Sequence, residues 1–192
     1  MFQTATLQLR TLERQALGVQ TLWIAAFALA TAAGAQIRIP HQPVPYTFQT
    51  LFVLLSGAFL GKRNGALSQV LYLSLGLIGL PVFTGFAFGP ERLLGPTGGY
   101  LLSFPVAAFV AGTIAKGSRS VLRTSAGMLV AMLVIFSLGT LQLSLVWTHD
   151  LGAAFAQGFL IFSWWDALKI AAAVLIVHRT SRLLSPGGAM HA

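Results

Sequence analysis

The sequence predicts an all-α membrane protein with six transmembrane helices, both termini in the cytoplasm and a ligand pocket towards the extracytoplasmic side. The first observation is composition: 56% of the 192 residues are hydrophobic and 8% are charged, whereas a soluble domain averages about 25% charged residues. The mean hydropathy is +0.78. The second observation is that the apolar residues form six runs whose ends alternate between basic and non-basic loops. These runs leave no room for a separate soluble domain.

Six apolar runs give the predicted spans, and the two ends of the chain give cytoplasmic tails. Several runs are shorter than the roughly 20 residues needed to cross a 30 Å hydrocarbon core, so the pattern predicts the number of spans better than their ends. The spans cover about residues 20–35, 47–61, 65–81, 99–115, 125–146 and 158–178, and the tails cover residues 1–19 and 183–192.

The first run has two interpretations. A basic flank, a short apolar stretch and the small residues at 33–35 also fit a signal peptide. An uncleaved first span fits the charge pattern equally well, with residues 1–19 as a tail or an interfacial helix.

Two outer loops are expected to be irregular. Residues 36–46 contain three prolines, which exclude a helix there, and residues 82–98 are rich in Gly and Pro. Long loops of this kind are more often lids or binding loops than idle linkers.

The basic residues orient the spans. With the N-terminus inside, nine of the twelve Lys and Arg residues lie in cytoplasmic segments, as the positive-inside rule predicts. Arg38 and Arg92 lie outside, and Lys169 is within a span. The net charge of +8 therefore reflects topology rather than nucleic-acid binding. The nine residues are Arg10, Arg14, Lys62, Arg63, Lys116, Arg119, Arg123, Arg179 and Arg182.

An acid and a base lie in the middle of the last apolar run, residues 159–177. Each charge costs roughly 2.5–3.5 kcal/mol at the centre of a lipid-embedded helix, so both need compensation. Asp166 and Lys169 are three residues apart, which places them on one helix face beside Trp165. A polar site for a small molecule is one interpretation. A structural ion pair that joins two helices is the other.

Few other polar residues are candidates for ligand binding. Arg92 would receive a carboxylate at the mouth of a pocket, unless it is a solvated charge paired with Glu91. Gln49 lies near the outer end of span two, and Tyr46 and Tyr100 offer aromatic bodies with hydroxyl tips. A carboxylate beside an ammonium matches a ligand group with both N–H and C=O, such as a urea or an amide.

Enzymatic chemistry has little support in the sequence. There is no cysteine, and the four histidines lie far apart, without metal-ligand spacing. No nucleophile with a base, no carboxylate cluster for a metal and no P-loop is present, so the chain is not expected to use ATP by itself.

Small residues at helical spacing mark the first span. Ala26, Ala30 and Gly34 form one stripe, and Ala28 and Ala32 lie on a neighbouring stripe. Such stripes allow close helix approach in lipid, either to a partner protein or within the protein's own bundle.

Three segments together resemble the BioY family, over about residues 24–178. They are AGAQIRIPHQPVPYTFQTLFVLLSGAFLGKRNGALSQVLYLSLGLIGLPVF, GPTGGYLLSFPVAA and the run that carries Asp166 and Lys169. The resemblance implies a six-helix, non-enzymatic substrate-capture (S) component of an energy-coupling-factor (ECF) transporter in the inner membrane of a prokaryote. It implies biotin as the transported ligand and no cofactor.

The resemblance also implies partners and contacts. The partners would be a transmembrane coupling protein and two ATPase subunits, and Ala26, Ala30, Ala28 and Ala32 would contact the coupling protein. Some family members work without these subunits, and the sequence leaves this open. The ureido ring of biotin would meet Asp166 and Lys169, and its carboxylate would meet Arg92. Residues 95–100, including Gly98, would close over the rest of the ligand. An S component for another vitamin and a structural or regulatory membrane subunit are the alternatives.

Overall fold

The structure is a computed structural model that describes residues 2–118, 120–160 and 164–183, with side chains described from Ala16 to Ser181 within these ranges. It is mostly helical, as predicted. The elements, in order, are α1 (Phe2–Gln36), β1 (Arg38–Ile39), β2 (Tyr46–Thr47), α2 (Gln49–Leu60), α3 (Lys62–Leu77), α4 (Glu91–Leu94), α5 (Gly98–Ala115), α6 (Val121–Leu143), a first π-helical turn (Ser144–Thr148), α7 (Leu151–Ala154), a second π-helical turn (Phe155–Phe159) and α8 (Trp164–Leu183).

Helix α1 is longer than the predicted first span, because it includes nearly all of residues 1–19. The added segment contains Leu, Gln, Arg, Glu and Ala, which favour helix, and no proline. Beyond Gln36 the chain forms the two-residue strands β1 and β2, which pair antiparallel with Arg38 opposite Thr47. Three prolines prevent any helix in the connection between the strands.

Helix α5 lies at the centre of the bundle and packs against α2, α3 and α6. Glycines allow the closest approaches. A Cβ at Gly57 would overlap the carbonyl oxygen of Ala108, and a Cβ at Gly112 would lie 2.5 Å from the backbone nitrogen of Lys62. Gly61 joins α2 to α3 with a φ of 83°, a left-handed conformation that favours glycine. These glycines allow the backbones of α2, α3 and α5 to pack in direct contact.

The helices differ in their suitability for crossing a bilayer. In the described part of the chain, the segments Ala16–Gln36, Gly98–Ala115 and Val121–Thr148 are long and apolar enough. A fourth span results if Leu151–Phe159 and Trp164–Ser181, whose axes differ by 51°, count as one.

Two further helices are shorter. Helices α2 and α3 have 12 and 16 residues, or about 18 and 24 Å at 1.5 Å per residue. The count of six spans and the cytoplasmic placement of both termini therefore stay predictions. Part of the predicted span at 158–178 (residues 161–163), and nearly all of the C-terminal tail (residues 184–192), lie outside the described residues.

Candidate functional site

The acid and the base of α8 form a buried ion pair. The Lys169 Nζ lies 2.5 Å from Asp166 Oδ1, and the two side chains are 6% and 3% exposed. Lys169 also donates to the carbonyl oxygen of Thr47 at 3.1 Å and to Thr50 Oγ1 at 2.7 Å. An ammonium has three N–H donors, so all three have acceptors within the protein. Lys169 therefore connects α8 to the end of β2 and the start of α2.

The Asp166 carboxylate, in contrast, is only partly engaged. Its Oδ1 accepts from Lys169, and no other described residue donates to its second oxygen. Asp166 also lines a cavity within the bundle. The carboxylate can therefore accept a hydrogen bond from a ligand without giving up a contact.

This inner cavity has a volume of about 160 Å³. That is close to the roughly 150 Å³ of a cavity that takes one benzene ring, so the space suits a small ring system rather than a polymer. Its walls are mostly aromatic and aliphatic, with polar groups at Asp166 and Lys169 and two arginines. The cavity is lined by Arg38, Pro43, Val44, Pro45, Tyr46, Thr47, Gln49, Thr50, Phe83, Thr84, Arg92, Thr97, Tyr100, Leu101, Phe104, Ile135, Phe136, Asp166 and Lys169.

Six of the eight predicted ligand-site residues line this cavity: Asp166, Lys169, Arg92, Gln49, Tyr46 and Tyr100. The other two, Trp165 and Gly98, lie outside its lining. Trp165 packs edge-on against Phe48, with ring centroids 5.5 Å apart. Gly98 has a packing role, because a Cβ there would overlap the Leu93 carbonyl oxygen.

Gln49 is buried, and both ends of its amide are hydrogen-bonded within the protein. Its Oε1 accepts from Thr47 Oγ1 at 2.9 Å and from Thr84 Oγ1 at 3.1 Å, while its Nε2 donates to the Tyr72 hydroxyl at 2.6 Å. The amide therefore fixes the start of α2 against the loop that follows α3. Tyr100 is engaged as well, since its hydroxyl donates to the Gly158 carbonyl at 3.1 Å.

A family model with the description "BioY family" matches residues 7–186. The chain belongs to the BioY family. This confirms the membership predicted from the sequence.

Curated relatives and a solved structure agree with this assignment. The biotin transporter BioY of Thermotoga maritima is 41% identical over 157 residues, which are 82% of this chain and 92% of the relative. A probable biotin transporter BioY of Pyrococcus horikoshii is also 41% identical, over 81% of this chain and 92% of the relative. The crystal structure of an S-component for biotin from an ECF-type ABC transporter superposes with a TM-score of 0.80 at 26% identity, covering 88% of this chain and 93% of that one.

The mouth of the cavity in this BioY-family protein carries two cations. Arg38 and Arg92 are both exposed, and neither has an acidic partner among the described side chains, where Asp166–Lys169 is the one ion pair. The alternative in which Arg92 pairs with Glu91 is therefore not seen. Arg38 was predicted to lie on the outer side but was not among the predicted site residues. Its position beside the proline-rich outer loop was the available signal.

Several lining residues besides Arg38 were also missed. Thr50 binds Lys169, and Thr84 binds Gln49. Phe83 and Phe104 give the cavity its aromatic walls. Hydroxyl and aromatic residues are common in membrane helices, so nothing in the sequence distinguished these four before the fold brought them together.

The alanines of α1 are not equally accessible. Ala28 is fully buried within the bundle, Ala30 and Ala32 are half-buried, and Ala26 is exposed. A partner helix that approaches from outside thus meets Ala26 and Ala30 rather than Ala28.

Proposed function

We propose that this BioY-family protein binds biotin in the inner cavity and serves as the substrate-capture subunit of an ECF-type transporter for biotin uptake. One observation carries the proposal: a buried carboxylate, anchored by a fully bonded lysine, faces a cavity of ring size, and the two arginines at its mouth have no acidic partner among the described side chains. Biotin has a urea at one end and a carboxylate at the other, in the same order as these groups.

The urea belongs at the Asp166 end of the cavity. One of its N–H groups donates to the carboxylate oxygen that Lys169 does not bind, and charge-assisted hydrogen bonds of this kind are roughly twice as strong as neutral ones. Its carbonyl oxygen accepts from the Thr50 hydroxyl, whose hydrogen is still available because this hydroxyl accepts from Lys169.

The apolar part of biotin fills the middle of the cavity, and its carboxylate reaches the mouth. The thioether ring and aliphatic tail lie against Phe83, Phe104 and Phe136. The carboxylate pairs with Arg38 and Arg92, whose planar guanidinium groups suit bidentate binding.

The membrane arrangement follows from the charge distribution. The protein spans the inner membrane of a prokaryote six times with both termini inside, so the arginines at the mouth face the side from which a vitamin arrives. A transmembrane coupling protein packs against Ala26 and Ala30 of α1, and two ATPase subunits supply the energy. The chain itself performs no chemical reaction.

Equilibrium binding of labelled biotin to the detergent-purified full chain tests the proposal. Saturable binding that unlabelled biotin displaces, together with a biotin-specific rise in melting temperature against thiamine, riboflavin and dethiobiotin, is the expected result. Stabilisation by a different vitamin alone would indicate an S component for that vitamin. Absence of any saturable ligand would leave a structural or regulatory subunit.

A further inference from the structure

A second, larger cavity lies directly outside the first. Its volume is about 550 Å³, compared with about 160 Å³ for the inner one. Pro43, Arg92 and Thr97 line both cavities. The two spaces are therefore adjacent, and Arg92, where the proposed biotin carboxylate ends, lines both.

The walls of this outer cavity differ in chemistry from those of the inner one. Glu91 adds an acid beside the basic Arg92, and Phe88 and Trp147 add exposed aromatic surface. An acid, a base and aromatic faces together fit a zwitterionic group with an aliphatic stem, such as an amino acid. Free biotin, which ends at the mouth arginines, leaves Glu91 and the aromatic faces of Phe88 and Trp147 unused.

We propose that the outer cavity accommodates an amino acid joined through its side-chain amine, by an amide bond, to the biotin carboxyl, so that the substrate class includes side-chain biotinylated amino acids as well as free biotin. This inference rests on the proposed function, because it needs the bicyclic ring of biotin in the inner cavity. The amide carbonyl takes the place of the carboxylate at the mouth and accepts from a guanidinium. The α-carboxylate and α-ammonium of the amino acid then pair with Arg92 and Glu91.

The affinities of three ligands for the full chain in detergent distinguish the effect of filling the outer cavity from the effect of its charged groups. The ligands are biotin, biotinyl-lysine linked through its side-chain amine, and the n-butylamide of biotin, which fills the outer cavity without charges. We expect biotinyl-lysine to bind within about tenfold of biotin, and the butylamide to bind more weakly than biotinyl-lysine.

Two variants of outer-cavity residues locate the effect. Gln42→Trp adds bulk at an exposed position that lines only the outer cavity. It should weaken the binding of both amides at least tenfold and change the affinity for biotin less than twofold. Glu91→Gln removes the acid and keeps the shape of the side chain. It should weaken the binding of biotinyl-lysine at least threefold and leave the binding of the butylamide unchanged. Asp150→Asn is the matched control, since it converts another exposed acid that lines neither cavity.

The ligands keep the two proposals distinguishable. The outer-cavity inference would be overturned if biotinyl-lysine bound more than a hundredfold more weakly than biotin, or if the variants changed the affinity for all three ligands equally. Either result would leave the proposed capture of biotin unaffected. Absence of biotin binding to the wild-type chain would overturn the proposed function, and the inference with it.

Discussion

Neutralising the buried pair of α8, one charge at a time and then together, separates a ligand site from a structural ion pair. The single variants are Asp166→Asn and Lys169→Met, and the double variant carries both changes. Each side chain is nearly inaccessible, and Lys169 also donates to Thr47 and Thr50. Each single change therefore leaves one buried charge without its partner. The double change leaves none.

The expected magnitudes differ for stability and binding. Breaking a buried pair by removing one partner costs about 3–5 kcal/mol, whereas replacing both charges by neutral groups is often close to neutral. Each single variant should therefore melt well below the wild type, and the double variant should regain most of the loss. A hydrogen bond from biotin to the charged carboxylate is worth about 1.5–3 kcal/mol, which is roughly 10- to 150-fold in Kd. The double variant cannot regain this contribution.

Melting temperature without ligand and equilibrium binding of labelled biotin, both in detergent, measure the two effects. We expect the double variant to approach the wild-type melting temperature while binding biotin at least tenfold more weakly. A double variant with both native stability and native affinity would show that the pair only joins helices, and would refute the ligand assignment. Asp150→Asn, at the exposed N-cap of α7, controls for loss of a negative charge elsewhere.

Three further changes test other parts of the fold. Gln36→Leu removes the side chain that donates to the Phe83 carbonyl and accepts from the Phe86 N–H, each at 3.1 Å. We expect labelled biotin to dissociate at least threefold faster when chased with excess unlabelled biotin. An unchanged rate would show that the loop after α3 does not retain the ligand. Gly57→Leu places a side chain against the Ala108 carbonyl, so the yield of folded protein on gel filtration should fall sharply. A native melting curve would contradict this packing. Ala30→Leu should leave biotin affinity within twofold but block uptake by cells; uptake equal to wild type, or uptake that persists without the coupling subunit, would remove this alanine from a partner interface.

The charged part of the site could be predicted because its residues conflict with their surroundings. Asp166 and Lys169 stand out in an apolar run where each charge needs compensation. Gln49 was identified by its place at the outer end of a span. Arg38 and Thr50 carry no such signal, because their importance depends on a hairpin and on a lysine 119 residues further along the chain. Long-range contacts of this kind follow from the fold and are invisible in local pattern.

The fold class was predictable from hydropathy, while several helix ends were not. The chain turns between α2 and α3 at Gly61, because Gly57, Gly65 and Gly112 let the helix backbones meet there. These tertiary contacts place the start of α3 at Lys62 rather than at the predicted residue 65. The early start of α1 has a different cause: residues 1–19, predicted as a tail or an interfacial helix, are polar but favour helix and continue directly into the first apolar run.

The bonding of Lys169 gives the two members of the charge pair different roles. A ligand carbonyl that approached the ammonium would have to displace Thr47 or Thr50, both of which hold α8 against α2. A ligand N–H that approaches Asp166 displaces nothing among the described residues. In the proposed site, recognition is therefore centred on the carboxylate, and the lysine keeps that carboxylate oriented and attached to the bundle. The bond from Lys169 to Thr47 also ties α8 to the β1–β2 hairpin, which carries Arg38, so one hairpin positions both ends of the proposed site.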